Sequence, residues 1–239
     1  MDDSAVTASV RRRDGGVAED LAWNTVSLGL LGSAAPWRTF RWYREQKHYS
    51  GTYWSATTQD HVIYESRLEL ARLLFADFDP AVHGIVAQPF LLKAVVEGKT
   101  RRHIPDYFLM TEDGPVVVDV KPRRRLLKPA VAFTFKWTRR AVESRGWCYE
   151  VWSEPPEAEL ENIRFLAGYR RGWLFASEIL EDLRRADLDG VPLGQAARRL
   201  PGRPEQRVRA GIHHLLWNQE LRADLTEPLR PSAVLRRAA

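Results

Sequence analysis

The middle of the chain alternates short apolar runs with longer amphipathic segments. The runs 104–110 and 115–120 are rich in β-branched and aromatic residues and predict two strands, and Thr-Glu-Asp-Gly between them predicts a tight turn. Residues 61–77 carry leucines at helical spacing and predict an amphipathic helix. A further helix is predicted at 129–144, and a strand beside the hairpin at 148–152. This order of elements predicts an α/β fold.

The C-terminal part has a different pattern, with helical segments separated by Gly and Pro. Its predicted elements are three helices and then two short extended pieces, at 175–186, 193–200, 204–218 and within 221–235. Helix, short helix, turn, helix and closing hairpin is the outline of a winged helix-turn-helix. Arg203 and Arg207 lie near the start of the third helix, where we expect DNA contacts. The alternative is a helical module that binds another protein.

These patterns predict a division of the chain into three parts. Residues 1–18 are small, polar and charged and are predicted to be disordered. Residues 19–168 are predicted to form the α/β domain, and residues 169–239 the small winged-helix-like domain. Within the first domain, the aromatic-rich stretch 37–54 is predicted to be a hairpin that buries one face. The alternative is that its aromatic residues, which alternate with basic ones, stack on nucleic acid. The apolar run 26–35 is too short to span a bilayer, so we expect a cytoplasmic protein with no membrane contact.

Composition adds an expectation about the partner. The 239 residues carry a formal charge of +5 and a sequence pI of about 9.5, and their hydrophobic content of 44% supports a sizeable core. A basic cluster follows the second strand of the predicted hairpin directly, and its members are Arg123, Arg124, Arg125 and Lys128. We expect this cluster to bind the phosphate backbone of DNA. The alternative is a solvated loop.

Three charged residues of the hairpin are candidates for chemistry. A two-residue turn at Glu112-Asp113 puts Asp106 opposite Asp119, and a turn at Asp113-Gly114 puts Asp106 opposite Lys121. In both registers the three side chains share one face of the sheet. A three-residue turn would move Asp106 to the other face. The register of this hairpin therefore decides whether a charged site forms.

The residue types in this hairpin suit phosphodiester hydrolysis. That reaction needs an activated water and compensation for charge on the phosphoryl oxygens, and a magnesium ion held by carboxylates supplies both. A lysine adds charge stabilisation. Upstream, Glu65 and Glu69 are four residues apart on the predicted helix, and either could complete a metal site. The alternative for the whole set is a solvated hairpin end with surface ion pairs.

Four blocks of sequence together resemble a known family. They are ESRLELARLL at 65–74, Gln88-Pro-Phe, IPDYFL at 104–109 and VDVKP at 118–122, and in this order they are similar to the catalytic core of TnsA-like transposase endonucleases. The resemblance implies a restriction-endonuclease-like mixed sheet flanked by helices. It also implies Glu69, Asp106 and Lys121 as catalytic residues, with Asp119 at a position where some members have glutamine. Gln88 matches a glutamine ahead of the central hairpin, and we expect it to help orient the site. The alternative is that it only satisfies backbone groups.

The resemblance carries further expectations about cofactor and partners. It implies Mg²⁺, for which Mn²⁺ is expected to substitute, held by Glu69, Asp106 and Asp119. It implies cleavage of one DNA strand at each transposon end, together with a DDE-type, TnsB-like recombinase and an AAA+, TnsC-like ATPase. Two other functions stay open on the same residues. One is a stand-alone restriction or defence nuclease, and the other is a non-catalytic winged-helix DNA-binding adaptor.

Overall fold

The computed structural model describes residues 6–38 and 49–238. The chain divides into two compact units, one formed by the residues up to Asp77 with Ala81–Glu154, the other by Phe78–Pro80 with Pro155–Ala239. The aromatic stretch predicted at 37–54 lies partly outside the described residues. Within it, Gly51–Ser55 is a strand paired with Asp60–Tyr64.

The first unit contains strands β1 to β10 and helices α1 to α4. The strands are β1 (Thr7–Arg11), β2 (Val17–Ala22), β3 (Gly51–Ser55), β4 (Asp60–Tyr64), β5 (Val82–Ala87), β6 (Leu91–Val96), β7 (Lys99–His103), β8 (Tyr107–Thr111), β9 (Gly114–Val120) and β10 (Cys148–Trp152). The helices are α1 (Leu28–Gly32), α2 (Arg67–Phe78), α3 (Arg123–Leu126) and α4 (Pro129–Glu143). This is the α/β class that the sequence predicted.

The central sheet is mixed and has the order β10-β9-β8-β5. Strands β8 and β9 form an antiparallel hairpin, and β10 lies parallel to β9. Thr111 pairs with Gly114, so the turn consists of Glu112 and Asp113, and the pairing of Tyr107 with Val118 continues the same register. One further step places Asp106 opposite Asp119. The first of the two predicted registers is therefore confirmed, as is the strand beside the hairpin.

A second sheet has the order β2-β1-β6-β7 and is antiparallel throughout. It includes part of the segment that we predicted to be disordered, residues 1–18, because β1 and the start of β2 lie there. Val6, just before β1, and Ala8 and Val10 on β1 occupy alternate positions and are buried in the core. Their burial, together with pairing to β6, orders a stretch whose small, polar composition had suggested disorder.

The predicted helix at 61–77 begins later than expected. Residues 61–64 belong to β4, which pairs antiparallel with β3, and α2 begins at Arg67. The branched and aromatic residues Val62, Ile63 and Tyr64 favour a strand. Ser66 then accepts a hydrogen bond from the backbone N–H of Glu69 at 3.1 Å, as a helix N-cap does. Glu65 therefore lies before the helix and not on it.

The core of the first unit lies between the mixed sheet and α4. Phe108 and Val117 face each other on β8 and β9 and are buried together with Trp137, Ala141 and Val142 of α4. Trp23 joins this cluster, and its indole nitrogen donates to the carbonyl of Ala141. This packing fixes the position of β9, which carries Asp119 and leads into Lys121.

The second unit contains helices α5 to α8 and a two-stranded sheet. They are α5 (Glu157–Leu166), α6 (Ser177–Arg185), α7 (Leu193–Ala196), α8 (Glu205–Trp217), β11 (Leu221–Arg222) and β12 (Arg236–Arg237). We had predicted the domain boundary after residue 168, whereas α5 belongs to this second unit. The amide of Asn162 on α5 donates to the carbonyls of Leu225 and Glu227, which explains the assignment. In the described residues, no helix has the length and apolar character needed to cross a membrane.

Candidate active site

Asp106 lies where the chain enters β8. Its backbone N–H donates to the carbonyl of Val118 at 3.0 Å, and its carboxylate oxygen Oδ2 accepts from the N–H of Val120 at 2.6 Å. Its own carbonyl accepts from the N–H of Gln88 at 2.9 Å. Main-chain groups on two neighbouring segments therefore fix both the backbone and the side chain of Asp106.

Charges of the predicted site act on one another. Burial raises the pKa of Asp106 well above its ordinary value, and the charges of Asp119 and Glu69 raise it further. Burial also raises the pKa of Glu69. Lys121 opposes both shifts, because its positive charge favours the ionised carboxylates. Asp106 therefore lies within electrostatic reach of Asp119, Glu69 and Lys121, in a setting that favours binding of positive charge.

Glu69 lies in the first turn of α2 and caps its own helix. Oε2 accepts from the backbone N–H of Glu65 at 2.7 Å, and Oε1 accepts from the Ser66 hydroxyl at 2.8 Å. These bonds resemble the reciprocal hydrogen bonds of a capping box. They hold the carboxylate in one orientation, and they lower its pKa against the effect of burial.

Asp119 is almost completely buried, with 2% of its surface exposed. Both of its carboxylate oxygens lie 2.8 Å from Nε2 of His103, and the hydroxyl of Tyr149 donates to Oδ2. Sequence reasoning missed His103 and Tyr149. The signal for His103 was its place three residues before Asp106, and the signal for Tyr149 was a polar hydroxyl within an otherwise apolar strand.

Gln88 joins the site through both its backbone and its side chain. Its side chain donates to Glu65 Oε1 at 2.8 Å and accepts from the backbone N–H of Arg38 at 2.8 Å. Its φ angle is +48°, a left-handed conformation that few residues other than glycine adopt. Gln88 thus connects Glu65 with the backbone of Asp106, and a strained backbone of this kind often marks a functional site.

Lys121 follows β9 directly and is held through its backbone. Its N–H donates to the carbonyl of Trp152 at 2.9 Å, and its carbonyl accepts from the Ser153 hydroxyl at 2.7 Å. The basic cluster comes next, and Arg123, Arg124, Arg125 and Lys128 are exposed. Arg123 is held by Glu154, which accepts from its N–H at 2.9 Å. The predicted phosphate-binding groups therefore begin two residues after Lys121.

The two predicted DNA-contacting residues of the second unit differ in their surroundings. Both are exposed, at or just before the start of α8. Nε and Nη2 of Arg203 both donate to the same oxygen of Asp182 on α6, Oδ2, at 3.0 and 2.7 Å. Arg207 lines an apolar cavity of about 350 Å³ with Phe175 and Ile179. Arg203 therefore connects two helices of its own unit.

Residues 79–154 match the family model described as TnsA-like endonuclease N terminal. The segment is similar to the N-terminal domain of TnsA-like endonucleases. The TnsA-like segment covers 76 of the 239 residues and includes Gln88, Asp106, Asp119 and Lys121, whereas Glu69 and almost all of the second unit lie outside it. No curated protein matches the chain. The mixed sheet is compatible with the fold of such a nuclease.

The placement of the acidic side chains in the candidate site bears on metal binding. In residues 6–38 and 49–238, no group of three or more His, Cys, Asp or Glu side chains is placed to hold a metal ion. The three predicted metal ligands each accept hydrogen bonds from the protein instead. The predicted three-carboxylate site therefore stays a prediction.

Proposed function

We propose that this chain is a Mg²⁺-dependent DNA endonuclease and the DNA-cutting subunit of a heteromeric transposase. The observation that carries the proposal is the TnsA-like segment, in which Asp106 and Lys121 lie at the end of one hairpin. The pKa of Asp106 is raised by burial and by the neighbouring carboxylates Asp119 and Glu69. Such convergence is typical of sites that bind a cation or move a proton.

The residues present suit a hard cation. Mg²⁺ is commonly held by one or two carboxylates, with water and substrate phosphate completing its shell. Glu69 and Asp106 would hold it, because a carboxylate has about four lone-pair positions and the hydrogen bonds described leave some of them open. When bound, the ion supplies an activated water and compensates charge on the phosphoryl oxygens. Mn²⁺ is expected to substitute for Mg²⁺.

The protein's own groups have separate tasks in this proposal. Lys121 places a positive charge beside the phosphate that is cut, where negative charge grows in the transition state. The N–H of Val120 holds the orientation of Asp106. Gln88 keeps Glu65 and the backbone of Asp106 in fixed relation. Each task needs the backbone geometry that the mixed sheet supports.

The role in transposition rests on the TnsA-like segment. In this proposal the chain hydrolyses one strand at each transposon end. A TnsB-like DDE recombinase makes the joining cuts, and a TnsC-like AAA+ ATPase regulates assembly. The exposed basic residues after β9 would bind the phosphate backbone of the DNA near the cut, because they carry positive charge close to Lys121.

We further propose that the second unit is a winged-helix-like domain that binds DNA. Its order is α6, a bridge between Pro192 and Val234, α7, α8 and then the pair β11-β12. The second half of α8 is buried, whereas its first turns expose Gln206, Arg207 and Arg209. A recognition helix contacts DNA with its N-terminal residues, which fits this exposure.

The main alternative is a stand-alone restriction or defence nuclease on the same fold, since its catalytic residues would be the same. A non-catalytic adaptor is disfavoured by the presence of Glu69, Asp106, Asp119 and Lys121 together. The alternatives differ in their need for partners. Cleavage of unrelated DNA by the chain alone would favour the stand-alone nuclease.

The test is cleavage of a transposon-end DNA with Mg²⁺ and the partner proteins present. Asp106→Asn is expected to lower the single-turnover rate by a factor of about 100 or more, because one ligand of the ion and one site of negative charge are lost. Asp113→Asn is the matched control, since Asp113 lies exposed in the turn of the same hairpin. Equal rates for Asp106→Asn and the wild type would refute the proposal.

A further inference from the structure

The buried carboxylate of Asp119 is surrounded by donors from two other strands. Nε2 of His103 on β7 lies 2.8 Å from each oxygen, and the hydroxyl of Tyr149 on β10 donates to Oδ2. We call these three residues the His103–Asp119–Tyr149 cluster. The cluster joins strands from two sheets through one side chain on β9.

Aromatic rings of α4 enclose the cluster. The ring centroids of Phe135 and Trp137 lie 6.3 and 6.2 Å from that of His103, and Phe135 lies 6.4 Å from Tyr149. Burial and the charge of Asp119 raise the pKa of Tyr149 above its ordinary value, so its hydroxyl stays a donor at neutral pH. If the carboxylate left this position, the buried Tyr149 hydroxyl would lose its acceptor.

Asp119 is also adjacent to the two groups that the proposed chemistry uses. The next residue, Val120, donates its N–H to Oδ2 of Asp106 at 2.6 Å. The residue after it is Lys121, whose backbone is tied to Trp152 and Ser153. The orientation of the peptide between 119 and 121 therefore sets both the side chain of Asp106 and the direction in which Lys121 leaves the strand.

We propose that Asp119 is a positioning residue, held by His103 and Tyr149, that fixes the Val120 N–H against Asp106 and does not ligate the cation. This inference rests on the proposed nuclease function and deepens it. It assigns the cation to Glu69 and Asp106. It also adds His103 and Tyr149 to the residues on which turnover depends.

Tyr149→Phe is the informative variant, because it removes one hydrogen bond to Asp119 and leaves every charge in place. A positioning role predicts that it lowers kcat about tenfold or more, the range seen when a group that orients a metal ligand is lost. We expect KM for DNA and the Kd for Mn²⁺, measured by paramagnetic resonance, to change less than about threefold. Asp119→Asn should behave in the same way, whereas Asp106→Asn should raise the Kd for Mn²⁺ at least about tenfold.

Tyr53→Phe is the matched control. It removes a buried tyrosine hydroxyl that donates to another buried carboxylate, Asp77, at 2.6 Å in the same unit. Loss of stability alone would lower kcat in both tyrosine variants. The inference is overturned if Asp119→Asn raises the Kd for Mn²⁺ as far as Asp106→Asn does, or if Tyr149→Phe leaves kcat unchanged.

A second measurement needs no metal and no cleavage, so it separates this inference from the proposed function. Hydrogen exchange of the Val120 amide reports its bond to Asp106 directly. We expect Tyr149→Phe to speed that exchange about tenfold or more relative to Tyr53→Phe, because loss of a buried hydrogen bond lowers the free energy of local opening. If no cation binds and no DNA is cut, yet Val120 responds in this way, the nuclease proposal fails and the positioning role stands. An unchanged Val120 amide overturns the positioning role.

Discussion

At the scale of single residues, the positive charge of Lys121 has the clearest consequence. It lowers the pKa of both Asp106 and Glu69, against the effect of burial. We predict that Lys121→Ala slows the single-turnover cleavage step by about 10²- to 10³-fold, the range for loss of a charge-stabilising group. Rapid-quench kinetics at saturating DNA would measure it. Lys121→Arg keeps the charge and should retain more activity than Lys121→Ala, and an equal loss in both would argue against an electrostatic role.

The buried carboxylate of Asp77 makes a residue-scale prediction about stability. It accepts hydrogen bonds from the hydroxyls of Tyr53 and Ser55, both at 2.6 Å, and from the backbone N–H groups of Ala56 and Thr57 at 3.0 and 2.8 Å. Asp77→Ala leaves these donors without their acceptor and should lower the free energy of unfolding by about 3 kcal/mol. Chemical denaturation would test this. Asp77→Asn retains one acceptor and should lower it less, and a loss below about 0.5 kcal/mol for Asp77→Ala would contradict the prediction.

At the scale of elements, the short basic helix α3 is predicted to hold DNA without reading its sequence. Arg124 and Arg125 are exposed on it, and Arg123 is tied to Glu154. The double variant Arg124→Ala/Arg125→Ala should weaken binding to all DNA sequences alike. It should also lower the slope of log affinity against log salt by up to about 2, since each lost phosphate contact releases about one counterion less. Arg13→Ala is the control, because Arg13 already pairs with Asp60. A change in sequence preference would contradict this role.

Helix α8 makes an element-scale prediction about pH. The ring centroid of His213 lies 5.0 Å from that of Phe165 and 4.6 Å from that of Tyr169. Its Nδ1 is buried and has no hydrogen-bond partner within the described residues. Burial, and then the charge of Arg209, lower the pKa of His213 from 6.5 to about 4. As pH falls, His213 therefore becomes protonated in the unfolded chain before it does so in the folded chain. The stability that neutral His213 provides is complete above pH 6.5 and is lost as pH falls towards 4.

The measurement is hydrogen exchange of the α8 amides at several pH values. The free energy of opening should fall between pH 6.5 and 4 more steeply in the wild type than in His213→Phe, which keeps a ring but has no titrating group. His214 is present in both proteins, so its own titration cancels in the difference. Parallel pH dependences in the two proteins would show that His213 does not titrate as its burial implies.

At the scale of the whole molecule, the two units differ in how far the sequence reveals them. The first unit contains one contiguous segment with a recognisable pattern, whereas the extent of the second unit depends on contacts between residues far apart in the sequence. The TnsA-like segment holds the central hairpin and most of the catalytic candidates in one stretch. In the second unit, α5 is held by bonds from Asn162 to residues more than sixty positions away. No local pattern encodes such a partner. The predicted boundary after residue 168 therefore differs from the observed one after Glu154.

The elements that were predicted well are those with strong local signals. The hairpin around Glu112-Asp113, the strand at Cys148–Trp152 and the helix from Pro129 each follow from periodicity and turn chemistry. Local sequence signals also led to two wrong predictions. The start of α2 was placed too early because β4 is rich in apolar residues, and β1 was overlooked because its residues are small. Strand pairing decided both, since β4 pairs with the neighbouring strand β3, and β1 pairs with β2 and with the distant strand β6.

The sequence by itself determined that Asp106, Asp119 and Lys121 share one face of the hairpin for either two-residue turn, because side chains on a strand alternate with period two. The structure decided that the turn has two residues and which of the two registers forms. Only the tertiary structure decided what each carboxylate touches. His103 and Tyr149 are 16 and 30 residues from Asp119 in sequence, and aromatic rings of α4 pack against both of them beside it. Hydrogen bonds over such separations depend on how elements pack against one another. That packing is the sum of many weak contacts with no signature in any single segment.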